Sequence, residues 1–390
     1  MNAKRRVAAA GVGFFIVIIA LTYYDVSLYK PWNTGNAQIE SPFPVYSGAV
    51  HIHSVRSDGS GTVQEIAEAA KRAGLDYVIL SDHDVGPEAR SDAGYYGGVL
   101  VLVGSEISMQ EGHKLYIPHP DSLFYEPDSA RKYLYELGDA AVVIGAHPFL
   151  PKCPLDKNVA GKLDGIEAVN ADVQWRKCSK INLFEAFITY PFLDYSMNTI
   201  AHYPHESMNL WRQTRVDGSS DFMLIGSVDA HANVKITDSW HWEFPSYERV
   251  FHMVQTHVIT KEEFNGDYSH DARLVYSALK SGSSYISFEN FGDTEGFSFT
   301  AHAGESLYTI GNTLNQTDLP VFSVQIPTDK NIRVYIKTPD TTVAVQDVSH
   351  FEYNVHEKGS YFVEVYQLRR SFWGKRIEIP WIFTNTITIR

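Results

Sequence analysis

The sequence contains little cysteine and no excess of positive charge. Two of its 390 residues are cysteine, Cys153 and Cys178, and neither lies in a CxxC or similar metal-binding spacing. Acidic residues number 46 against 33 basic ones, for a formal net charge of -13, so no broad cationic face is available to a phosphate backbone. We therefore expect no general nucleic-acid binding, and we expect any metal to be held by nitrogen and oxygen atoms.

The chain also lacks the motifs of several common catalytic systems. It has no G-x-S-x-G nucleophile elbow, no G-x-x-x-x-G-K-[ST] phosphate loop and no cysteine in a nucleophile context. Its hydrophobic content of 44% is enough for one large domain and a smaller one. Composition leaves the oligomeric state open.

The N-terminal residues predict a membrane segment. Basic residues at 4–6 precede an uncharged run of 18 residues, 7–24, which is just long enough to span a bilayer. A cleaved signal peptide is the alternative, but no small-x-small cleavage site follows the run. The basic flank predicts a cytoplasmic tail at 1–6, a single-pass anchor, and an extracytoplasmic remainder that begins with a tether at 25–43. That location would permit a disulfide between the two cysteines, although two free thiols fit the sequence equally well.

From residue 44 onward, short apolar strands alternate with helical segments. A helix is predicted from Thr62, a typical N-cap, to Ala73, with Gly74 ending it. The strands are predicted at Ala49–Ser54, Tyr77–Leu80, Val99–Val103, Ala141–Ile144, Gly165–Val169 and Phe222–Ile225. Near-continuous apolar strands favour a parallel sheet covered on both faces, and this many favours a closed or nearly closed barrel. We predict one α/β domain over 44–290.

From about Phe297 the pattern changes to strict alternation of apolar and polar residues. Ile332–Lys337 alternates in this way, and Glu364 lies between two valines. Such segments are typical of half-solvated antiparallel strands and predict a small β-sandwich over 291–390, with Trp381 as a core anchor.

Metal-ligand side chains recur just after the predicted strands. His51 and His53 lie two apart on the first strand, so both imidazoles point to the same face and can chelate one ion. One such pair is weak evidence in a chain with 16 histidines. However, an acidic or imidazole group follows an apolar strand at least five times, and in α/β barrels the reacting groups collect at the carboxyl ends of strands. The pattern predicts a metal site assembled between His51 and His231.

These segments resemble the PHP family, the polymerase and histidinol phosphatase superfamily of metal-dependent phosphoesterases. The matching segments, in the family's order, are His51-Ile52-His53-Ser54, Ser57-Asp58-Gly59, Ser81-Asp82-His83-Asp84, Gly104-Ser105-Glu106, Gly112-His113, Ala146-His147-Pro148 and Asp229-Ala230-His231. The resemblance implies a distorted PHP-type (β/α) barrel that holds two or three divalent ions, with zinc, manganese and iron all compatible. The implied ligands are His51, His53, Asp58, His83, Glu106, His113, His147, Asp229 and His231. Glu106 would bridge two ions, and His51, His53, Glu106, Asp229 and His231 would form the catalytic set.

Several residues near these motifs have open roles. Asp58 could instead serve the Ser-Asp-Gly turn, and His113 follows a loop without strand context. Asp82 is expected to orient His83, and Glu167 at a strand end could face the pocket. Candidates for the substrate rim are Arg56, Arg176, Arg212, Lys235, His202 and His205, although each is more commonly a surface residue.

The implied ligands favour an anionic substrate. Three carboxylates bring three negative charges and three divalent ions would bring six positive ones, so an acidic protein would acquire a cationic pocket. We expect a membrane-anchored phosphoesterase in which a metal-bound hydroxide attacks a small phosphate ester. Residues 359–366 and 380–385 resemble the β-domain of a carbaryl-hydrolase-like PHP subgroup, so hydrolysis of a carbamate, amide or carboxylic ester is the alternative. A non-catalytic, envelope-binding protein is a third interpretation.

Overall fold

The computed structural model describes residues 3–28, 41–216, 221–237, 240–242, 244–315, 319–328, 330–370 and 376–390. Most of the tether predicted at 25–43 lies outside these ranges. Across the described residues, no helix combines the length and the apolar character needed to cross a bilayer. The transmembrane anchor expected at 7–24 stays a proposal.

The elements alternate between helix and strand over the first part of the chain and are mostly strands after residue 284. The α-helices are α1 (Ala3–Leu28), α2 (Val63–Arg72), α3 (Pro127–Tyr133), α4 (Ala171–Lys177), α5 (Lys180–Ile188), α6 (Leu193–Ile200), α7 (His205–Val216), α8 (Tyr247–Phe251) and α9 (Tyr268–Ser281). The strands are β1 (Val45–Ile52), β2 (Tyr77–Leu80), β3 (Gly94–Tyr96), β4 (Val99–Val103), β5 (Ser105–Ile107), β6 (Lys114–Pro118), β7 (Ala141–Gly145), β8 (Gly165–Asn170), β9 (Met223–Ser227), β10 (Val234–Thr237), β11 (Trp240–Trp242), β12 (Gln255–Ile259), β13 (Ser284–Ser287), β14 (Ser298–Ala303), β15 (Ser306–Thr309), β16 (Thr313–Leu314), β17 (Val321–Gln325), β18 (Ile332–Lys337), β19 (Thr342–Gln346), β20 (His350–Asn354), β21 (Gly359–Arg370), β22 (Arg376–Thr384) and β23 (Ile387–Ile389).

Helix α2 shows how the sequence sets one of these elements. Thr62 accepts a hydrogen bond from the Glu65 backbone N–H, and the Glu65 carboxylate accepts one from the Thr62 N–H, which forms a capping box. Ile66 and its neighbouring alanines are buried against the sheet. Gly74 has a φ of 76°, a conformation that glycine adopts without steric penalty, and it ends the helix as predicted.

Two mixed sheets form the N-terminal region. One runs β3-β4-β2-β1-β12-β13 and is parallel only across β4, β2 and β1, and the other runs β5-β6-β7-β8-β9 and is parallel only across β7, β8 and β9. The prediction of an α/β class is confirmed, but the prediction of a parallel sheet is wrong, because both sheets are mixed. The β5–β6 connection is residues 108–113, which is too short for the crossover that a parallel neighbour requires.

The two sheets meet at one edge through isolated bridges, Ile52 with Ala230 and His83 with Glu106. These bridges place the end of β1 beside the segment after β9, and the segment after β2 beside β5. The distorted, closed barrel stays a prediction, because the described strands fall into separate sheets.

The C-terminal strands continue the first sheet. β22 pairs with β13, and β21, β23 and β18 follow it, so sheet hydrogen bonds run across the boundary predicted at 290/291. A four-stranded antiparallel sheet, β15-β14-β17-β20, packs on this region, where the rings of Phe322 and Tyr361 lie 5.1 Å apart. Trp381 is fully buried and its Nε1 donates to the Gly292 carbonyl at 3.1 Å, as a core anchor would.

Glu364 joins the C-terminal strands to helix α7. Its side chain is fully buried, whereas the alternating pattern predicted a solvated position. Its Oε1 accepts hydrogen bonds from Arg212 at 3.0 Å and Tyr203 at 3.1 Å, and its Oε2 accepts from Lys337 and Tyr366 at 2.5 Å each. Two cations and two hydroxyls thus compensate one buried carboxylate.

Replacing Glu364 with alanine should leave two partly buried cations without a counter-charge. We expect a loss of about 3–5 kcal/mol in the free energy of unfolding, measured by urea denaturation. The matched control is Glu378→Ala, which removes a more exposed partner of Arg333 and should change stability by less than about 1 kcal/mol. Equal, small losses in both variants would contradict this role for Glu364.

Candidate metal centre

The structure brings all nine predicted ligands into one cluster at the edge where the sheets meet. His51 lies in β1 and His53 just beyond it, Asp58 lies in the loop that follows, His83 follows β2, Glu106 lies in β5, His113 precedes β6, His147 follows β7, and Asp229 and His231 follow β9. Glu106 was expected at a strand end and instead occupies a short strand of its own. His113 reaches the cluster because antiparallel β6 begins at the edge where its neighbours end.

The Glu106 carboxylate lies at the centre of the cluster and is 1% exposed. Its two oxygens face different sets of imidazole nitrogens. The first set surrounds Oε2 and contains His51 Nε2 at 3.1 Å, His53 Nε2 at 3.3 Å and His83 Nδ1 at 3.1 Å. The second set surrounds Oε1 and contains His113 Nδ1 at 2.7 Å and His147 Nε2 at 2.9 Å. This is the arrangement of a carboxylate that can bridge two ions.

Two further carboxylates each face imidazoles. Asp229 Oδ1 lies 3.4 Å from His53 Nε2 and 3.7 Å from His231 Nδ1. Asp58 Oδ1 lies 3.2 Å from His231 Nε2 and 3.9 Å from His83 Nε2, so Asp58 faces the cluster. Carboxylate and imidazole ligands alternate around the cluster, which suits more than one divalent ion.

Backbone strain coincides with three of these residues. The φ values are 67° at His51, 26° at His147 and 50° at Asp229. These values lie in the left-handed region of backbone conformation, which residues with a Cβ rarely adopt. The pairing of β1 with β2 also shifts register at His51. Each such residue costs about 1–3 kcal/mol and persists only where its surroundings impose it. The strain aims these side chains into the cluster.

Glu167 has a role that sequence reasoning left open. Its Oε1 lies 2.6 Å from His51 Nδ1, and its Oε2 accepts hydrogen bonds from the His147 backbone N–H at 2.5 Å and Asn170 Nδ2 at 2.8 Å. When Nδ1 donates to Glu167, the Nε2 lone pair of His51 faces the other carboxylates. The signal in the sequence was a carboxylate at the end of a buried strand.

Asp82 organises the loop that follows β1. It accepts hydrogen bonds from the Ser54 backbone N–H and hydroxyl at 2.7 Å each, and from the Ser57 hydroxyl at 2.6 Å. The expected contact with His83 is not among those that the described residues make. Ser57 Oγ also lies 3.4 Å from His53 Nδ1, so Asp82 acts on His53 through this serine.

Both cysteines are free, which is one of the two alternatives that the sequence left open. Cys153 Sγ lies 3.8 Å from His147 Nδ1, and its sulfur belongs to a group with His113 and His147 whose ligand atoms all lie within 4.8 Å of one another. Sequence reasoning excluded sulfur because no CxxC spacing is present. Proximity to His147 along the chain was the available signal.

The charges of the cluster depend on one another. Burial alone would lower the pKa of His51, but the neighbouring carboxylates outweigh that effect and raise it well above its usual value. The same balance raises the pKa of His53 to about 9. Burial would raise the pKa values of Glu106 and Asp229, but the imidazoles hold both well below their usual range. The carboxylates stay ionised, and a divalent cation can replace the protons that otherwise balance them.

The environment of His53 Nε2 is a second indication that the cluster could hold a metal ion. His53 Nε2 is buried, and among the described residues no group forms a hydrogen bond with it, although carboxylate oxygens lie 3.3 and 3.4 Å away. A buried polar atom without a hydrogen bond is costly and uncommon. Its lone pair has the position and surroundings of a metal ligand.

A cleft of about 800 Å³ opens beside the cluster, with Asp58, Asp229 and His231 among its lining residues. Of the six rim candidates, Arg176 lines this cleft and pairs with Asp172. Three others lie away from this cleft or line another cavity: Arg56 pairs with Asp92, and His202 and His205 line a separate cavity of about 150 Å³. Arg212 pairs with Glu364. The side chain of Lys235 lies outside the described residues. That smaller cavity also reaches His147 and Glu167.

Comparison with curated proteins gives one match to an enzyme. The chain is 34% identical over 73 residues to a phosphoribosyl 1,2-cyclic phosphate 1,2-diphosphodiesterase from Eggerthella lenta. The match covers 17% of this chain and 28% of the relative.

The resemblance to the PHP family is confirmed. No family model matches the sequence, and the likeness to the carbaryl-hydrolase-like subgroup stays a prediction. Because the chain spans only about a quarter of the matched relative, the activity of that enzyme does not pass to this chain by similarity alone.

Two solved structures are also similar. A two-domain protein from Bacteroides vulgatus, described as containing a predicted PHP-like metal-dependent phosphoesterase, has 17% identity and a TM-score of 0.41, covering 88% of this chain and 98% of its own. A putative metal-dependent phosphoesterase from Bifidobacterium adolescentis has 14% identity and a TM-score of 0.29, covering 52% of this chain and 94% of its own. Likeness at these TM-scores does not establish a shared fold.

Glu167→Gln should weaken metal binding while leaving the cluster otherwise intact. The amide carries no negative charge, and it has one acceptor oxygen for the three donors that the carboxylate serves, which are His51 Nδ1, the His147 N–H and Asn170 Nδ2. Mutation of a residue that orients a ligand in this way typically lowers metal affinity about 10–100-fold. The measurement is metal content per chain across a series of buffered free-metal concentrations. Glu68→Gln, on the exposed face of α2, is the matched control. Unchanged affinity in the Glu167 variant would show that His51 does not depend on this contact.

Proposed function

We propose that the chain is a metal-dependent phosphoesterase. The observation that carries the proposal is the split environment of Glu106, whose two oxygens face separate imidazole sets while two further carboxylates face the same cluster. Two or three divalent ions held in this way would activate water and stabilise the charge that develops on a transferred phosphoryl group.

The ligand residues divide between a buried and an accessible side. His51 and Glu106 are almost fully buried, whereas His231 and Asp58 line the cleft and are partly exposed. A substrate entering the cleft therefore meets the group formed by Asp58, His231 and Asp229 first. The buried residues hold and orient that group, because Glu167 fixes His51 and Asp82 fixes the loop that carries His53 and Asp58.

The charge of a metal-loaded cluster would suit a phosphoryl group as the group that reacts. The cluster would be cationic when loaded, although the whole chain carries a net charge of -13. The same ions would also polarise a carbonyl group, so hydrolysis of a carbamate, amide or carboxylic ester is the second candidate function. The mostly apolar lining of the cleft favours this alternative as much as it favours a phosphate ester.

An extracytoplasmic location with an anchor at 7–24 stays a proposal, and the uncharged run in the sequence supports it. Alkali extraction of membranes from cells that express the full chain tests it. The chain should stay in the pellet if the proposal is right, and its release into the supernatant would contradict the anchor.

Activity should require both the metal and the ligand set. We expect the chelated protein to regain hydrolysis of aryl phosphate esters when Mn²⁺, Zn²⁺ or Fe²⁺ is added back. His51→Ala and Asp229→Asn should lower kcat/KM by on the order of 100-fold or more, because the first removes a ligand nitrogen and the second removes the negative charge of a ligand carboxylate. His350→Ala, an exposed histidine of β20, is the matched control and should leave kcat/KM unchanged.

Three outcomes decide between the functions. Turnover of phosphate esters that is lost in both ligand variants supports the phosphoesterase. A metal-loaded protein that hydrolyses only aryl carbamates or carboxylic esters replaces it with the second function. Metal content near zero per chain after incubation with all three ions rejects both enzymes and leaves the non-catalytic, envelope-binding interpretation.

A further inference from the structure

We propose that the substrate carries one anionic group and a sizeable apolar group, and that the apolar group occupies the cleft beside the metal ligands. This inference rests on the proposed function for the identity of the anionic group. The cleft measures about 800 Å³, which is far more than a phosphoryl group fills and is typical of sites for drug-sized ligands.

The walls of the cleft are apolar where they face away from the ligands. Helices α4, α5 and α6 contribute Trp175, Leu183, Met197 and Ile200, and the segment from 244 to 253 contributes Phe244 and Met253. The rings of Trp175 and Phe244 meet edge to face, with centroids 6.1 Å apart and planes at 74°. Aromatic and aliphatic walls of this kind bind apolar groups by excluding water.

The charges of the cleft exclude a substrate with several anionic groups. Among the described residues that line it, Arg176 is the one permanent cation, and its guanidinium pairs with Asp172 one helical turn away. Asp172 thus offsets the charge that a second phosphate would need. A polyphosphate or a sugar bisphosphate would leave its distal anion against apolar walls, which is strongly unfavourable.

The geometry also fixes the orientation of the substrate. Asp58, Asp229 and His231 line the same cleft as the apolar side chains, so the anionic group lies at the metal ligands while the apolar group extends toward α5 and α6. Leu183 is the best probe of this orientation because it packs against the edge of the core and is only half-buried, so its replacement should disturb folding less than that of the buried Met197 or Ile200.

The test uses binding first, so that it does not depend on turnover. Calorimetry on the metal-loaded full chain would measure affinity for non-hydrolysable n-alkylphosphonates from ethyl to octyl. We expect affinity to rise roughly three- to four-fold per methylene until the cleft is filled, from the free energy of burying one methylene. Leu183→Asn should lower the affinity for octylphosphonate about ten-fold and leave that for ethylphosphonate unchanged.

Ile181→Asn is the matched control, since Ile181 lies on the same helix, is 78% exposed and does not line the cleft. Trp175→Gln gives a second cleft variant if the Leu183 variant does not fold. Affinity that is independent of chain length, or equal effects of the cleft and control variants, would overturn the proposal. Chain-length-dependent binding without hydrolysis of any alkyl phosphate would support the cleft assignment while rejecting the phosphoesterase.

Discussion

The buried carboxylate of Glu106, shared between two sets of imidazoles, is the constraint on which the rest of the structure depends. An ionised carboxylate with 1% exposure is strongly unfavourable unless positive charge surrounds it closely. The histidines that provide this surrounding come from β1 and from the ends of β2, β6 and β7, so both sheets must bring those ends to one edge. The bridge between His83 and Glu106 and the strained backbone at His51 and His147 are consequences of this convergence.

Polar groups behind the ligands hold the convergence in place. Glu167 orients His51, Asp82 holds the loop after β1, and the buried Lys114 donates to the Glu111 and Gly112 carbonyls at 3.0 and 2.6 Å in the loop that precedes His113. The C-terminal strands contribute through Glu364, which accepts a hydrogen bond from Tyr203 beside the smaller cavity. The region after residue 290 therefore supports the side of the site formed by α7, and it does so by burying charge rather than by adding ligands.

Local sequence signals predicted the parts of this structure that local interactions determine. The Thr62 cap of α2 and the strands at Tyr77–Leu80 and Val99–Val103 were predicted correctly, and the nine predicted ligands lie in one cluster. Their role as metal ligands stays a prediction. The relative direction of the strands was not predicted correctly, because the periodicity of a sequence carries no information on whether neighbouring strands run parallel. The burial of Glu364 was not predicted, the role of Glu167 was left open, and Asp82 was expected to orient His83. The contacts of all three residues involve partners distant in sequence. The continuation of the first sheet across the boundary predicted at 290/291 and the position of Cys153 beside His147 also follow from tertiary contacts.

Glu106 would bridge two metal ions in the loaded site, and the proposed function depends most directly on this arrangement. Electron paramagnetic resonance of the Mn²⁺-loaded full chain tests it directly, because two Mn²⁺ ions joined by a carboxylate give an exchange-coupled spectrum. We expect this coupled spectrum for the wild-type chain and for the control Glu68→Gln, and we expect its loss in Glu106→Gln. A spectrum of isolated Mn²⁺ in the wild-type chain at full loading, or a coupled spectrum that survives in Glu106→Gln, would contradict it.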